Sequence, residues 1–131
     1  MSSLEHRTKI ESFVALAVKD GGQILCGGQR PADLPAPFDQ GAFYEPTLIG
    51  GLDCAHACSV QEIFGPVATV HRFHSEEEVV AAANNTKYGL AGSLWTTNLQ
   101  RAHRIARQWE TGMVWINCWL HRDLRVPFGV S

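Results

Sequence analysis

Glu62-Ile63-Phe64-Gly65-Pro66 sets a carboxylate and an aromatic ring two positions apart. Side chains of an extended chain repeat every two residues, so Glu62 and Phe64 are expected to face the same way. A carboxylate accepts hydrogen bonds only, and it can hold two neighbouring hydroxyls of a ribose. The ring beside it can pack against a flat ligand or a sugar edge. Gly65 would leave room for close approach of a ligand, and Pro66 would fix the turn out of the site. The same residues also fit a plain surface, a solvated Glu beside a core Phe before a turn.

A second stretch, Asn117 to Phe128, carries Trp119, His121, Arg122, Arg125 and Phe128. An arginine presents a rigid fork of donors that matches a carboxylate in two places. Arg122 is the candidate anchor for such a group. The alternative is that Arg122 and Arg125 pair with Asp123 on the surface, which contributes little. Cys118 follows Asn117 at the end of an apolar run and reads as a structural thiol rather than a nucleophile.

Two other clusters are weaker. Cys54-x-His56-x-Cys58, with His71 or His74, contains zinc-ligating residue types. Zinc pairs usually come in two sets at wider spacing, and only one loose set is present, so no metal is expected. Arg101, Arg104 and Arg107 fall late in a helical pattern, where the dipole favours cations on a solvated face. Nucleic-acid binding is not expected from them.

These residues need elements to position them. Ser2 with Glu5 forms a capping box, behind which Ile10, Phe13, Val14 and Ala17 mark one apolar helix face. Gly21-Gly22 stops that helix before a short strand, Gln23 to Cys26. Residues 29 to 42 hold prolines and little periodicity and read as a surface loop. Phe43 to Ile49 is extended, with Pro46 suggesting an edge or a bend. Val67 to Phe73 reads as a strand. A second capping box, Ser75 with Glu78, opens a helix that ends at Asn84-Asn85 and Gly89. Leu90 to Trp95 is the next strand. Thr97-x-x-Gln100 then opens a helix with Leu99, Ala102, Ile105, Ala106 and Trp109 on its buried side, closed by Gly112. Met113 to Ile116 is apolar throughout, as in a sheet covered on both faces. Strands alternating with helices predict an α/β fold, a mostly parallel sheet with flanking helices.

The chain has 131 residues, one domain or part of one. Hydrophobic residues make up 45% and charged residues 18%, ordinary for a globular protein. A net charge of −2 argues against nucleic acid or a membrane surface as the main partner. No apolar run reaches the ~18 residues of a spanning helix. The N-terminus lacks an apolar signal core, so the cytosol is the expected compartment, with the four cysteines as free thiols.

Three segments carry a resemblance. Gln61-Glu62-Ile63-Phe64-Gly65-Pro66-Val67 resembles the E-[IV]-F-G-P-V segment of the aldehyde dehydrogenase superfamily. Asn84-Asn85-Thr86-Lys87-Tyr88-Gly89-Leu90-Ala91 resembles its A-N-x-x-x-Y-G-L-[AS] segment. Gly112 to Cys118, followed by Pro127-Phe128-Gly129, resembles its G-x-V-x-[IV]-N run and P-F-G-G loop. They occur in the family's order, at close to its spacing, from about Ser3 to Phe128. The resemblance implies that residues 1 to 131 are part of the family's catalytic domain, belonging to an enzyme that oxidises an aldehyde to an acid with NAD or NADP. It implies Glu62 as the nicotinamide-ribose ligand and Phe64 as its packing partner. It places Arg122 and Phe128 in the wall of the substrate tunnel. The Trp119 to Arg125 composition is similar to that of dehydrogenases acting on carboxylate-bearing semialdehydes, the hydroxymuconic and aminomuconic ones.

The family's nucleophile lies in a G-Q-x-C motif and its base in an E-L-G-G motif, neither of which occurs here. The nucleophile attacks the carbonyl and the base activates water, so the chain alone is expected to be inactive. The dinucleotide-binding half and the C-terminal tail are also absent from the matched region, and a frameshifted, truncated or artificially delimited open reading frame would explain both absences. The parent enzyme is expected to be a homo-oligomer that takes a small-molecule aldehyde. The alternative is a non-catalytic remnant, a binding or regulatory module of the same fold. An orphan sheet edge and exposed apolar residues predict marginal stability and association.

Overall fold

A computed structural model of the chain describes residues 1–128, so Gly129 of the Pro-Phe-Gly segment lies outside the described residues. The chain divides into two units, Met1–Arg72 and Phe73–Ser131.

The first unit is built on helix α1, Leu4–Lys19. Its apolar face is the one the spacing predicts, with Ile10, Val14 and Ala17 buried. Its cap is Ser3 rather than Ser2: the Ser3 hydroxyl accepts from the His6 amide at 3.0 Å. Adjacent serines both suit an N-cap, and only the extended backbone at Ser3 selects between them. Gly21, at φ 92°, ends the helix.

Strand β1, Gln23–Cys26, pairs antiparallel with β2, Thr47–Gly50, and β2 pairs parallel with β3, Val67–Val70. The sheet order is β1-β2-β3. The antiparallel β1 is the exception in a mostly parallel arrangement, and only a loop, with a single 3₁₀ turn at Phe38–Gln40, joins it to β2. A short helix α2, Ala57–Val60, stands between β2 and β3; four residues are too few to leave a periodic signal. The core joins α1 to the inner sheet face through Ile10, Val14, Ala17, Tyr44, Ile49, Leu52, Cys58 and Ile63. On the strands Leu25, Leu48, Ala68 and Val70 are exposed.

In the second unit Ser75 caps helix α3, Glu76–Asn84, accepting from the Glu78 amide at 3.1 Å. The Glu78 carboxylate returns the bond to the amide of His74, one residue before the cap. Strand β4, Gly92–Leu94, pairs parallel with β5, Val114–Ile116, across helix α4, Leu99–Gln108. The predicted strand from Leu90 to Trp95 is thus shortened at both ends. Helix α4 is capped by Asn98, not Thr97. Of its expected apolar face, Ala102 and Ile105 are buried, whereas Leu99 is 70% exposed. Starting the helix one residue late puts Leu99 in its first, solvated turn. The apolar Met113–Ile116 run buries Trp115 and leaves Val114 and Ile116 half-buried.

Glu76 joins the two helices. Its carboxylate takes one bond from Arg101 at 2.7 Å and two from Arg104, each 2.7 Å. The Arg104 and Arg101 guanidiniums hold its carboxyl down at about 2. Among the described residues no helix is long and apolar enough to cross a membrane.

Candidate functional site

Glu62 and Phe64 lie between α2 and β3, in irregular chain rather than in a strand. Ile63 between them is buried in the core of the first unit, and both neighbours are exposed, Phe64 at 70%. Exposure therefore alternates around the buried Ile63, without pairing in a sheet. Phe64 has φ 61°, left-handed backbone that a bulky residue seldom adopts. No ion pair among the described residues involves Glu62.

Gly65 has a packing role that its type did not announce. A Cβ there would stand 2.3 Å from Ile10 Cδ1 and 2.8 Å from its Cγ1. The glycine makes room for helix α1. Pro66 sends the chain into β3: its carbonyl accepts from the Thr47 amide at 2.7 Å, and Val67 N–H donates to Gly65 at 2.8 Å. The exposed Glu62 carboxylate offers hydrogen-bond acceptors, and the exposed Phe64 ring an apolar face.

The second unit holds the other candidates. Trp115 of β5 is buried and its indole N–H donates to the His121 carbonyl at 2.9 Å. The rings of Trp119 and Phe128 lie 5.3 and 6.4 Å from it. This aromatic cluster folds residues 117 to 128 back onto the strand. The resulting cleft, about 430 Å³, is lined by Met113, Trp115, His121, Arg122, Leu124 and Phe128 among others. Arg122 places its guanidinium carbon 4.8 Å from the centre of the Phe128 ring. Asp123 pairs with Arg125, whose Nε lies 2.9 and 3.1 Å from its two oxygens. That pairing holds the Asp123 carboxyl below its usual range. Of the two arginines that could have paired with Asp123, only Arg125 does; no ion pair among the described residues involves Arg122.

His56 and Cys58 of the weaker cluster are engaged in the fold. The His56 Nδ1 accepts from the Cys58 amide at 3.1 Å and caps α2, so Nε2 carries the proton that it shares with Asp20 at 3.1 Å. Burial pushes the Cys58 thiol up, away from the thiolate that a metal needs. Its Sγ donates to the Phe13 carbonyl at 3.3 Å. No group of three or more metal-ligating side chains converges among the described residues. Cys118 is a free thiol whose carbonyl accepts from Ser93 at 2.7 Å.

The aldehyde dehydrogenase family model matches residues 1–129. The chain belongs to the aldehyde dehydrogenase family. This aldehyde dehydrogenase chain is 47% identical over 128 residues to 2-aminomuconic semialdehyde dehydrogenase of Homo sapiens, a match over 97% of the chain and 26% of the relative. It is 46% identical over 129 residues to 2-hydroxymuconic semialdehyde dehydrogenase of Pseudomonas sp. strain CF600, covering 98% of the chain and again 26% of the relative. Its fold superimposes with TM-score 0.91 on betaine aldehyde dehydrogenase from Staphylococcus aureus in complex with NAD+, at 38% identity, over 98% of this chain and 25% of that one. The aldehyde dehydrogenase chain thus spans about a quarter of the length of these relatives.

Three residues have roles that their types did not announce. Asn84 bridges the ends of α3 and α4: its amide donates to the Gln108 carbonyl at 2.8 Å and accepts from the Glu110 amide at 2.9 Å. Asn117, at φ 55°, does the same for the chain leaving β4. The ring of His6 reaches the carbonyl of Phe64 at 2.7 Å. An Asn at a helix end or strand end in a single sequence carries no signal of its distant partner. For His6 the partner is 58 residues away.

Proposed function

We propose that this chain supplies part of the catalytic domain of an NAD- or NADP-dependent aldehyde dehydrogenase whose substrate is a semialdehyde carrying a carboxylate. The observation that carries the reading is Arg122. It lies over Phe128 in an aromatic-walled cleft while its neighbour Arg125 takes up the adjacent acid, Asp123. A cation on an aromatic face, at the edge of a cleft, keeps its fork of donors available to an incoming carboxylate. Phe128 and Trp115 supply an apolar wall for the carbon chain behind it. The semialdehydes for which the two relatives are named support the same substrate class.

Glu62 and Phe64 form the cofactor contact in this reading. The Glu62 carboxylate accepts from the two ribose hydroxyls next to nicotinamide, and the exposed Phe64 ring packs against the nucleotide. The dinucleotide, when bound, accepts hydride from the aldehyde carbon. These residues bind and orient; the G-Q-x-C nucleophile and the E-L-G-G base are not in this sequence. The 131-residue chain by itself should therefore show no aldehyde oxidation.

The test is a chimera in which residues 1–128 replace the matching segment of an intact semialdehyde-oxidising family member. Arg122→Ala should raise KM for an acidic semialdehyde about tenfold or more, as expected for loss of charged hydrogen bonds, and leave KM for a neutral aldehyde nearly unchanged. Glu62→Gln should raise KM for the dinucleotide instead. An equal effect of Arg122→Ala on both aldehydes removes the carboxylate role.

A further inference from the structure

We propose that His6 is a positioning residue for the cofactor-facing segment, holding Phe64 in the backbone conformation that presents its ring. The proposal rests on the reading of Glu62 and Phe64 as the nicotinamide-ribose contact. Phe64 sits at φ 61°, where a Cβ crowds the backbone, and such a conformation persists only when its surroundings over-determine it. Two contacts from one helix do so. The His6 Nε2 lies 2.7 Å from the Phe64 carbonyl oxygen. One turn further along α1, the wholly buried Ile10 fills the space where a Cβ of Gly65 would be. Residues four apart on a helix share a face, so His6 and Ile10 seat the consecutive residues Phe64 and Gly65.

The hydrogen bonding gives the imidazole a defined state. A carbonyl oxygen only accepts, so Nε2 carries the proton. In the neutral ring Nδ1 is then the acceptor, and Ser2 Oγ, 3.0 Å away, donates to it. Both polar atoms of the ring are thus spent on Phe64 and Ser2. Neither serves the helix, which Ser3 already caps. With its carbonyl drawn to α1 and Ile63 fixed in the core, Phe64 directs its ring into solvent, its centroid 6.2 Å from that of His6. A merely structural histidine would be needed for the helix; this one is needed for the segment at Phe64.

The experiment uses the full 131-residue chain, isotope-labelled, with nicotinamide mononucleotide as the probe. In the native chain the imidazole nitrogen resonances of His6 should report the Nε2–H tautomer. The mononucleotide should perturb Glu62 and Phe64. His6→Ala should shift the Phe64 backbone resonances, keep the helical circular dichroism and weaken mononucleotide binding about tenfold, the scale of one or two hydrogen bonds. His6→Gln, which returns an N–H donor near the Nε2 position, should restore binding to within about twofold. Unchanged Phe64 resonances and unchanged binding in His6→Ala overturn the positioning role. If His6→Ala moves Phe64 but the mononucleotide perturbs neither Glu62 nor Phe64 in the native chain, the cofactor reading is the part that fails, and the role proposed for His6 falls with it.

Discussion

Asn117 satisfies both backbone polar groups of Thr96: its Oδ1 accepts from the Thr96 amide at 2.8 Å and its Nδ2 donates to the Thr96 carbonyl at 2.9 Å. Its own amide donates to Leu94 at 2.8 Å, extending the β4–β5 ladder by one rung. The left-handed backbone at φ 55° is one that asparagine tolerates better than most residues. Asn117→Ala should destabilise the second unit by about 2 kcal/mol, roughly 1 for each lost bond. Asn117→Asp keeps the acceptor and loses the donor, so it should fall between. Urea titration of the three proteins measures the order; a native-like midpoint for Asn117→Ala would contradict it.

The Gly65–Ile10 contact makes an equally direct case. Gly65→Ala forces a methyl against a buried isoleucine and should cost about 1–3 kcal/mol, the range for overpacking. Ile10→Val in the same chain removes a methyl from the clash. The two substitutions should therefore be less damaging together than their sum. Strict additivity in a double-mutant cycle would mean that the contact is not what makes glycine necessary.

The Glu76 clamp predicts a pH dependence with a definite sign. A carboxyl held at about 2 when folded and near its ordinary value when unfolded stabilises the fold above the unfolded value. That contribution fades as pH falls from about 4.5 towards 2 and is absent below. Because the group is solvent-accessible and screened, the effect should be modest and should shrink in high salt. Thermal melts of native and Glu76→Gln chains should differ most near neutral pH and converge at the acid end. A gap that stays constant across that window would exclude the clamp as its source.

Leu25, Leu48, Ala68 and Val70 leave apolar groups uncovered on the three-stranded sheet. An apolar sheet face and two open edges favour association. The 131-residue chain should self-associate with rising concentration in sedimentation velocity. Leu48→Lys should reduce that association while leaving the buried Ile49 in place. Concentration-independent monomer in the native chain would refute the expectation.

The regular parts of this fold were open to a reading from sequence because they repeat. Ile10, Val14 and Ala17 mark the buried side of α1 at helical spacing, and Ser75 with Glu78 marks the start of α3. Caps were misplaced by one residue where two cap-forming residues adjoin, at Ser2-Ser3 and Thr97-Asn98, since type alone does not reveal which one turns extended. Helix α2 is too short to show a period. The segment at Glu62 and Phe64 was legible by composition, but the reason for Gly65 was not. That reason is Ile10 on an element far away in the chain, a packing partner that spacing cannot disclose. The same holds for the division of labour between Arg122 and Arg125. Their shared neighbour Asp123 made either pairing feasible, and the Phe128 ring separates them.

Trp115 gives residues 117–128 an optical handle. Its indole is sequestered from water, bonded to the main chain of His121 and flanked by the rings of Trp119 and Phe128. A chain retaining Trp115 as its single tryptophan would emit at short wavelength while that loop is closed, and its emission would redden and its lifetime change as the loop lifts. Movement of residues 117–128 could then be followed by fluorescence, without turnover.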